Sequence, residues 1–428
     1  MAVVGYIPFD PSRDSAEAGW VADAFGCQMR LAAGLPNLNR APPERPPAPP
    51  ATMARLLAPL LPLRSVIAEG PAGFAWAALL RRHGFTGGVT ILPYLNPRRW
   101  SDVAATAVYR RFRDPRDRIF LGSTPSARIY RRLGVDVLVG EPYGIDDRLF
   151  RPRPNASAVR ERFAIPRGPL LVFAGRAQPD KDLYRLLRAA LKAKILFPDL
   201  QTAIASHVVD GPYVDAARRE MGRESGVHFI LEPEREELAA LYSEADVFAT
   251  ASTSCFETFG RAPAEALACG TPAIAPRYDG FSEVLDQPGG RLVDVELGEA
   301  GPQANEASLL RAIYDVLSRP RCESREAIAA AARRRFARSR TIRLLAHVVS
   351  AQPGPAPAAE LAPADLALPQ PWQAAALSLA QMEPADALQQ LWEGPQNEVL
   401  SEHGLAFVEA VRRSLCTGLP SEAKEAVA

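Results

Sequence analysis

The sequence predicts an α/β protein built from two doubly wound, parallel-sheet domains that face a cleft, followed by a helical C-terminal extension. Three observations carry this. Short apolar runs alternate with longer amphipathic Ala/Leu/Arg segments, the pattern of strands joined by crossover helices. The series occurs twice, on either side of the Pro-rich stretch Arg151-Pro-Arg-Pro-Asn-Ala-Ser157. The chain has 428 residues, more than the ~250–300 at which a single core stops growing.

The elements follow in order. In the first half the strands are Val3–Ile7, Ser65–Ala68, Val89–Leu92, Arg118–Leu121 and Val135–Val139, with helical pattern at Gly73–His83 and Ser126–Leu133. In the second half the apolar runs are Pro169–Ala174, Thr202–Ser206, Val227–Leu231, Val247–Thr250, Pro272–Ala275 and Arg291–Val293. The helices between them are Leu183–Leu196, Tyr213–Arg223, Arg235–Ser243, Arg261–Cys269 and Glu306–Leu317. Proline cannot serve a central strand or continue a helix, so the Arg151–Ser157 stretch reads as a linker. Pro36–Pro50 reads as a surface loop and Ala351–Pro371 as a tether to the tail Trp372–Val411. The expected domains are therefore 1–155, 156–350 and 351–428. No repeat of fixed period is present.

Composition narrows the function classes. Fifty basic against 49 acidic residues leave a formal charge of +1, which gives no general argument for nucleic acid or a membrane as partner. No apolar run approaches the ~20 residues of a membrane span. The first residues, Met-Ala-Val-Val-Gly-Tyr-Ile-Pro, lack a basic n-region and read as a first strand, not a signal peptide. The five Cys and five His are scattered, without the spacing of a disulfide framework or a zinc site, so a reducing cytoplasm is the expected compartment and no metal is expected. Cys255 and Cys269 read as packing residues, and His207 and His228 as structural residues beside strands.

Candidate chemistry lies in the second half. Glu257 and Glu265 stand in an E-x7-E arrangement, with Phe259-Gly260 between them just ahead of an Ala-rich helix. Gly260 allows close backbone approach, and the helix start presents unpaired N–H groups and a positive dipole end, a seat for phosphate. A carboxylate accepts two hydroxyl donors, which suits the vicinal diol of a sugar. Taken alone, two such Glu are ordinarily solvated helix charges. They are accompanied by Gly175-Arg-Ala-Gln-Pro-Asp-Lys-Asp182 at the end of a strand, where Arg176 and Lys181 can grip a diphosphate, the first bidentately and the second as a point charge.

In this order the segments resemble the group 1, or family four, retaining glycosyltransferases of GT-B fold, which have two Rossmann-like domains. The resemblance runs from about Asp117 to Val293. It includes Tyr143-Gly-Ile-Asp-Asp-Arg-Leu-Phe-Arg-Pro152, Asp210-Gly-Pro-Tyr213, Gly226-Val-His-Phe-Ile230, Glu237-Leu-Ala-Ala-Leu-Tyr242, Ala245-Asp-Val-Phe248, Pro272-Ala-Ile-Ala275 and Asp279-Gly-Phe-Ser-Glu283. The resemblance implies a nucleotide-sugar donor, UDP favoured and GDP admitted, and transfer with retention and no obligatory metal or other cofactor. It implies that Arg176 and Lys181, beside Gly175, hold the donor diphosphate, and that Glu265 binds the ribose. Glu257 contacts donor-sugar hydroxyls, Phe259 and Gly260 line the same pocket, and Glu283 lies near the donor sugar.

The N-terminal half departs from the family pattern. Ile91-Leu-Pro-Tyr-Leu-Asn-Pro97 has no His where family members often carry one, and Pro8-Phe-Asp-Pro-Ser-Arg-Asp-Ser15 lacks the usual paired Gly. Ser12, Arg13, Asp14, Glu69, Tyr94 and Asn96 are candidates for the cleft rim or acceptor, with turns and helix caps as the alternative. The acceptor class stays open among glycan, glycolipid, small molecule and protein. The basic stretch Arg110–Arg118 reads as solvated loop charges, with peripheral contact to the inner face of a membrane as the alternative. Oligomerisation through the C-terminal extension is also left open. Two other activities fit the same fold: a sugar-nucleotide epimerase or hydrolase, and a silent sugar-nucleotide-binding subunit.

Overall fold

The computed structural model describes residues 3–9, 21–22, 28–31, 35, 39, 50–140, 144–207, 209–222, 225–299, 301–318, 323–350, 408, 411–413 and 415–416. The chain divides into two compact units. The first comprises 1–143, 341–414 and 425–428, the second 144–340 and 415–424.

The first unit is a six-stranded sheet of order β2-β1-β3-β4-β5-β6, parallel throughout. Its strands are β1 (Val3–Ile7), β2 (Gln28–Leu31), β3 (Ser65–Glu69), β4 (Gly88–Leu92), β5 (Arg118–Leu121) and β6 (Leu138–Val139). Val4, Tyr6, Ile67, Leu92 and Phe120 form one core cluster, which Leu345 joins from the helix Arg338–Ser350. That insertion accounts for the return of residues beyond 340 to the first unit. The helix Trp100–Phe112 was not anticipated. It buries Val103, Ala104, Ala105, Val108 and Tyr109, and Asp102 accepts from the backbone N–H of Arg98 and Arg99 at its start. The basic stretch expected to be loop thus begins in the last turn of this helix. Arg81 and Asp117 form a buried ion pair, and Asp117 also accepts from the backbone N–H groups of Val89 and Asp114.

The second unit is a parallel six-stranded sheet of order β12-β11-β10-β7-β8-β9. The strands are β7 (Leu170–Ala174), β8 (Gln201–Ser206), β9 (Val227–Leu231), β10 (Val247–Ala249), β11 (Ala273–Pro276) and β12 (Gly290–Val293). Every residue of β7 is buried, as expected of a strand covered on both faces. Leu170, Val172 and Ala174 join one core layer with Phe248, Leu267, Phe281 and Phe336. Leu171 and Phe173 join the other with Leu183, Leu187, Val214 and Leu309. The period of two that marks a strand is thereby spent on two cores at once. A hairpin, β13 (Val295–Gly298) and β14 (Gly301–Ala304), follows the sheet.

The unit boundaries fall at 143/144 and 340/341, where the Pro-rich stretches pointed to 155/156 and 350/351. Ile145 and Phe150 are buried in the second unit's core. Ile145 N–H donates to Phe336 O, and Arg338 N–H donates to Ile145 O. These contacts draw residues 144–155 into the second unit. Little of the extension 351–428 is described, though Asp279 N–H donates to Leu415 O and Tyr278 bridges Cys416. Among the described residues no helix is long and apolar enough to cross a membrane.

One contact in this fold carries the loop that bears Glu257. Gly280 N–H donates to Glu257 O at 3.1 Å. A Cβ on Gly280 would lie 2.6 Å from the Cα and O of Phe259. Gly280→Ala must therefore push that loop aside, and overpacking of this kind costs about 1–3 kcal/mol. Urea denaturation of the variant should show a loss in that range; a change under ~0.5 kcal/mol, the usual span of a neutral substitution, would contradict the close approach.

Candidate functional site

The strand order of the second unit locates its site. β7 is the first strand of the series, with β8 and β9 on one side and β10, β11 and β12 on the other. The connections therefore reverse direction between β7 and β10, and ligands of open α/β sheets bind beyond the carboxyl ends of the strands at such a point. The loops there are 175–182 after β7 and 250–260 after β10.

The first loop leaves β7 through Gly175, whose N–H donates to Ala205 O at 3.1 Å. Arg176 follows, its guanidinium 4.5 Å from the centroid of the Phe256 ring. A 3-10 turn, Pro179–Lys181, then brings Lys181 inward before Asp182, in the left-handed region at φ 46°, redirects the chain into the helix Leu183–Leu196. In the second loop Gly260 has φ 94° and precedes the helix Arg261–Ala268. A side chain there would strain the backbone and strike Phe281.

The two loops are joined by an ion pair. Lys181 Nζ donates to Glu257 Oε1, and the side chains are only 11% and 12% exposed. Ser252 Oγ donates to the same oxygen at 2.6 Å. Among the described residues Glu257 Oε2 receives no donor, so one carboxylate oxygen anchors the cation while the other is available to a ligand hydroxyl. Removing either partner would strand a largely buried charge.

Glu265 lies within the helix and is 9% exposed, with no hydrogen bond to its carboxylate among the described residues. Burial raises its pKa from the ordinary 4.5 to about 7, against the pull of Arg261, Arg235 and Arg338, with Asp146 adding repulsion. A buried carboxylate lacking donors is one that a diol would satisfy. Phe259, expected to line the pocket, is turned into the core, 7% exposed and edge-on to Phe336 at 5.4 Å. Glu283 sits on the short helix Phe281–Val284 and is half-buried. Cys269 is buried and its thiol is pushed up to about 12, mainly by burial, in keeping with a packing role.

A half-open cavity of about 200 Å³ adjoins Arg176, lined by Ala174, Gly175, Ala205, His207, Pro233 and Leu238. Sequence reasoning missed it because three separate strand ends build it. His207, expected to be structural, lines it, whereas His228 does bond to Gln201 Oε1 at 2.9 Å. Also missed were Asp180, Ser252, Ser254 and Phe256, although all lie inside the segments that drew attention.

In the first unit, order β2-β1-β3 places the corresponding reversal between β1 and β3. Glu69 ends β3 there but is 4% exposed. It accepts from Tyr6 Oη at 2.5 Å, Phe9 N–H at 2.8 Å and Tyr94 Oη at 3.0 Å. Asn39 Nδ2 donates to Phe9 O and Glu69 O, and its Oδ1 accepts from Ala72 N–H. Glu69 and Asn96, candidates for the rim, are thus buried; Glu69 binds the ends of β1, β3 and β4 together, and Tyr94, half-buried at φ 59°, is part of that network. Ser12, Arg13 and Asp14 lie outside the described residues. Among the described residues no group of three or more His, Cys, Asp and Glu could hold a metal ion.

Two doubly wound parallel units with this site define the GT-B class of fold. Solved structures agree in fold: sucrose-phosphate synthase from Thermosynechococcus elongatus aligns with a TM-score of 0.63 at 17% identity, covering 81% of this chain and 98% of that one. Anabaena HepE in complex with UDP-glucose aligns at 0.62 and 16%, covering 82% and 100%. Residues 157–335, most of the second unit, match the family model "Glycosyl transferases group 1". A GDP-mannose-dependent alpha-(1-6)-phosphatidylinositol monomannoside mannosyltransferase of Mycolicibacterium smegmatis is 31% identical over 250 residues, 56% of this chain and 60% of the relative.

The Glu265 shift has a signed consequence. Between pH 4.5 and about 7 the folded protein keeps a proton that the unfolded chain has released, so stability falls as pH rises through this window. Glu265→Gln should match the parent near pH 4 and exceed its unfolding free energy by about 3 kcal/mol at pH 8. Denaturation curves that stay parallel from pH 4 to 8 would contradict the burial argument.

Proposed function

We propose that the protein is a glycosyltransferase that moves a sugar from a nucleoside diphosphate sugar to an acceptor hydroxyl, with retention of anomeric configuration and without a bound metal. The observation that carries this is the Lys181–Glu257 pair beside Arg176 at the β7/β10 reversal, inside a segment of the glycosyltransferase family.

On this reading the cavity beside Arg176 receives the nucleoside, and Glu265 takes the ribose hydroxyls. Arg176 and Lys181 face the diphosphate, and Glu257 Oε2 accepts from the donor sugar. As the sugar–oxygen bond breaks, the electron pair goes to the leaving diphosphate, where the two cations neutralise the growing charge in a partly desolvated setting. The acceptor oxygen bonds to the anomeric carbon on the face the diphosphate leaves, and its proton passes to a phosphate oxygen. Glu257 remains a hydroxyl acceptor and forms no covalent bond. Glu283 borders the donor sugar. The relative named for GDP-mannose supports guanine alongside the uracil first expected, and its name favours a glycolipid whose sugar headgroup offers the acceptor hydroxyl.

A donor-release assay with UDP- and GDP-sugars, run with and without glycolipid acceptors, tests this reading. Release should require acceptor and survive chelation by EDTA, and the product should keep the donor's anomeric configuration by NMR. Lys181→Ala and Glu257→Ala should each lower turnover roughly 10²–10³-fold. Turnover of donor alone would favour the hydrolase or epimerase alternative, and unchanged transfer in both variants would remove the site assignment.

A further inference from the structure

Both outer nitrogens of Arg176 are engaged within the loop. Nη1 donates to Gln178 Oε1 and Nη2 to Asp180 Oδ2, each at 2.5 Å. The guanidinium lies over Phe256, and the two acceptors hold its outer nitrogens within the loop. Asp180 is itself held, because its Oδ2 also accepts from Ser254 Oγ at 2.8 Å. Asp180 comes from the loop after β7 and Ser254 from the loop after β10, so this contact bridges the two loops independently of Lys181–Glu257.

Arg carries five N–H donors, and two are used here. The rest of the fork can meet a ligand without Arg176 leaving its seat. A carboxylate that merely competed with the ligand would gain nothing from a second donor fixing it, whereas one that orients a cation does. Arg side chains have many rotamers, and a fork held in place loses less freedom for each bond it forms.

We infer that Asp180, anchored by Ser254, is a positioning residue that holds the Arg176 guanidinium against Phe256 so that its remaining N–H groups address the leaving diphosphate. This rests on the reading of the site given above. It makes Asp180 an acidic residue that supports the binding of an anion, the reverse of what its charge alone suggests.

The test is a double-mutant cycle on the full chain, with donor turnover, KM, nucleoside diphosphate affinity and melting temperature measured together. Asp180→Ala should lower kcat about 10- to 100-fold, the scale of a small misplacement, with little change in melting temperature. Asp180→Asn keeps an acceptor oxygen and should recover part of the loss, and Ser254→Ala should move kcat the same way by a smaller factor. The double variant Arg176→Ala/Asp180→Ala should be no worse than Arg176→Ala alone. Tighter nucleotide binding by Asp180→Ala, an unchanged kcat, or losses that simply multiply in the double variant would overturn the inference. If Arg176→Ala itself left both nucleotide affinity and turnover unchanged, the diphosphate reading would fail, and this inference with it.

Discussion

The site depends on one topological constraint, the reversal of strand order between β7 and β10. Parallel strands on either side of it send their loops apart, and the gap left at the carboxyl edge is where a ligand can approach backbone and side chain together. Lys181 and Glu257 span this gap as an ion pair, and Asp180 with Ser254 spans it a second time. Partial burial is what gives both contacts their importance. In water such pairs contribute little, but in a site shielded from solvent each fixes the position of a charge that, on the proposed reading, meets a diphosphate or sugar.

The same geometry serves a different purpose in the first unit. There the reversal lies between β1 and β3, and the carboxylate at the strand end, Glu69, is fully engaged by Tyr6, Tyr94 and the Phe9 N–H. Its acceptor capacity is used in holding three strand ends in register. Glu265 of the second unit is its opposite, buried among arginines with its acceptor capacity unused among the described residues. The contrast between a satisfied and an unsatisfied buried acid separates a structural carboxylate from a candidate ligand-binding one more clearly than position in the strand order does.

Much of this was legible in the sequence, and the reasons differ by element. β7 was readable because five consecutive apolar residues end in glycine. The helix Leu183–Leu196 was readable from its 3.6-residue period and has the bounds expected. Helix Trp100–Phe112 was not, because its Arg-rich end resembles a loop and its start is set by Asp102 reaching back to backbone N–H groups. Arg176, Lys181 and Glu257 were recognisable as chemistry-bearing residues, but that Lys181 pairs with Glu257 depends on which strands are neighbours, a fact no local pattern carries. Phe259 shows the limit from the other side. Its place between two acids suggested the pocket, while the left-handed turn at Gly260 and the contact with Phe336 direct it to the core.

The most direct measurement is a crystal structure of the protein soaked with a nucleoside diphosphate sugar. The account requires the diphosphate oxygens within hydrogen-bonding distance of Arg176 and Lys181, the ribose hydroxyls on Glu265, and the base in the cavity between Ala205 and Pro233. Density for the nucleotide in the first unit, or bound in the second with those side chains untouched, would contradict it.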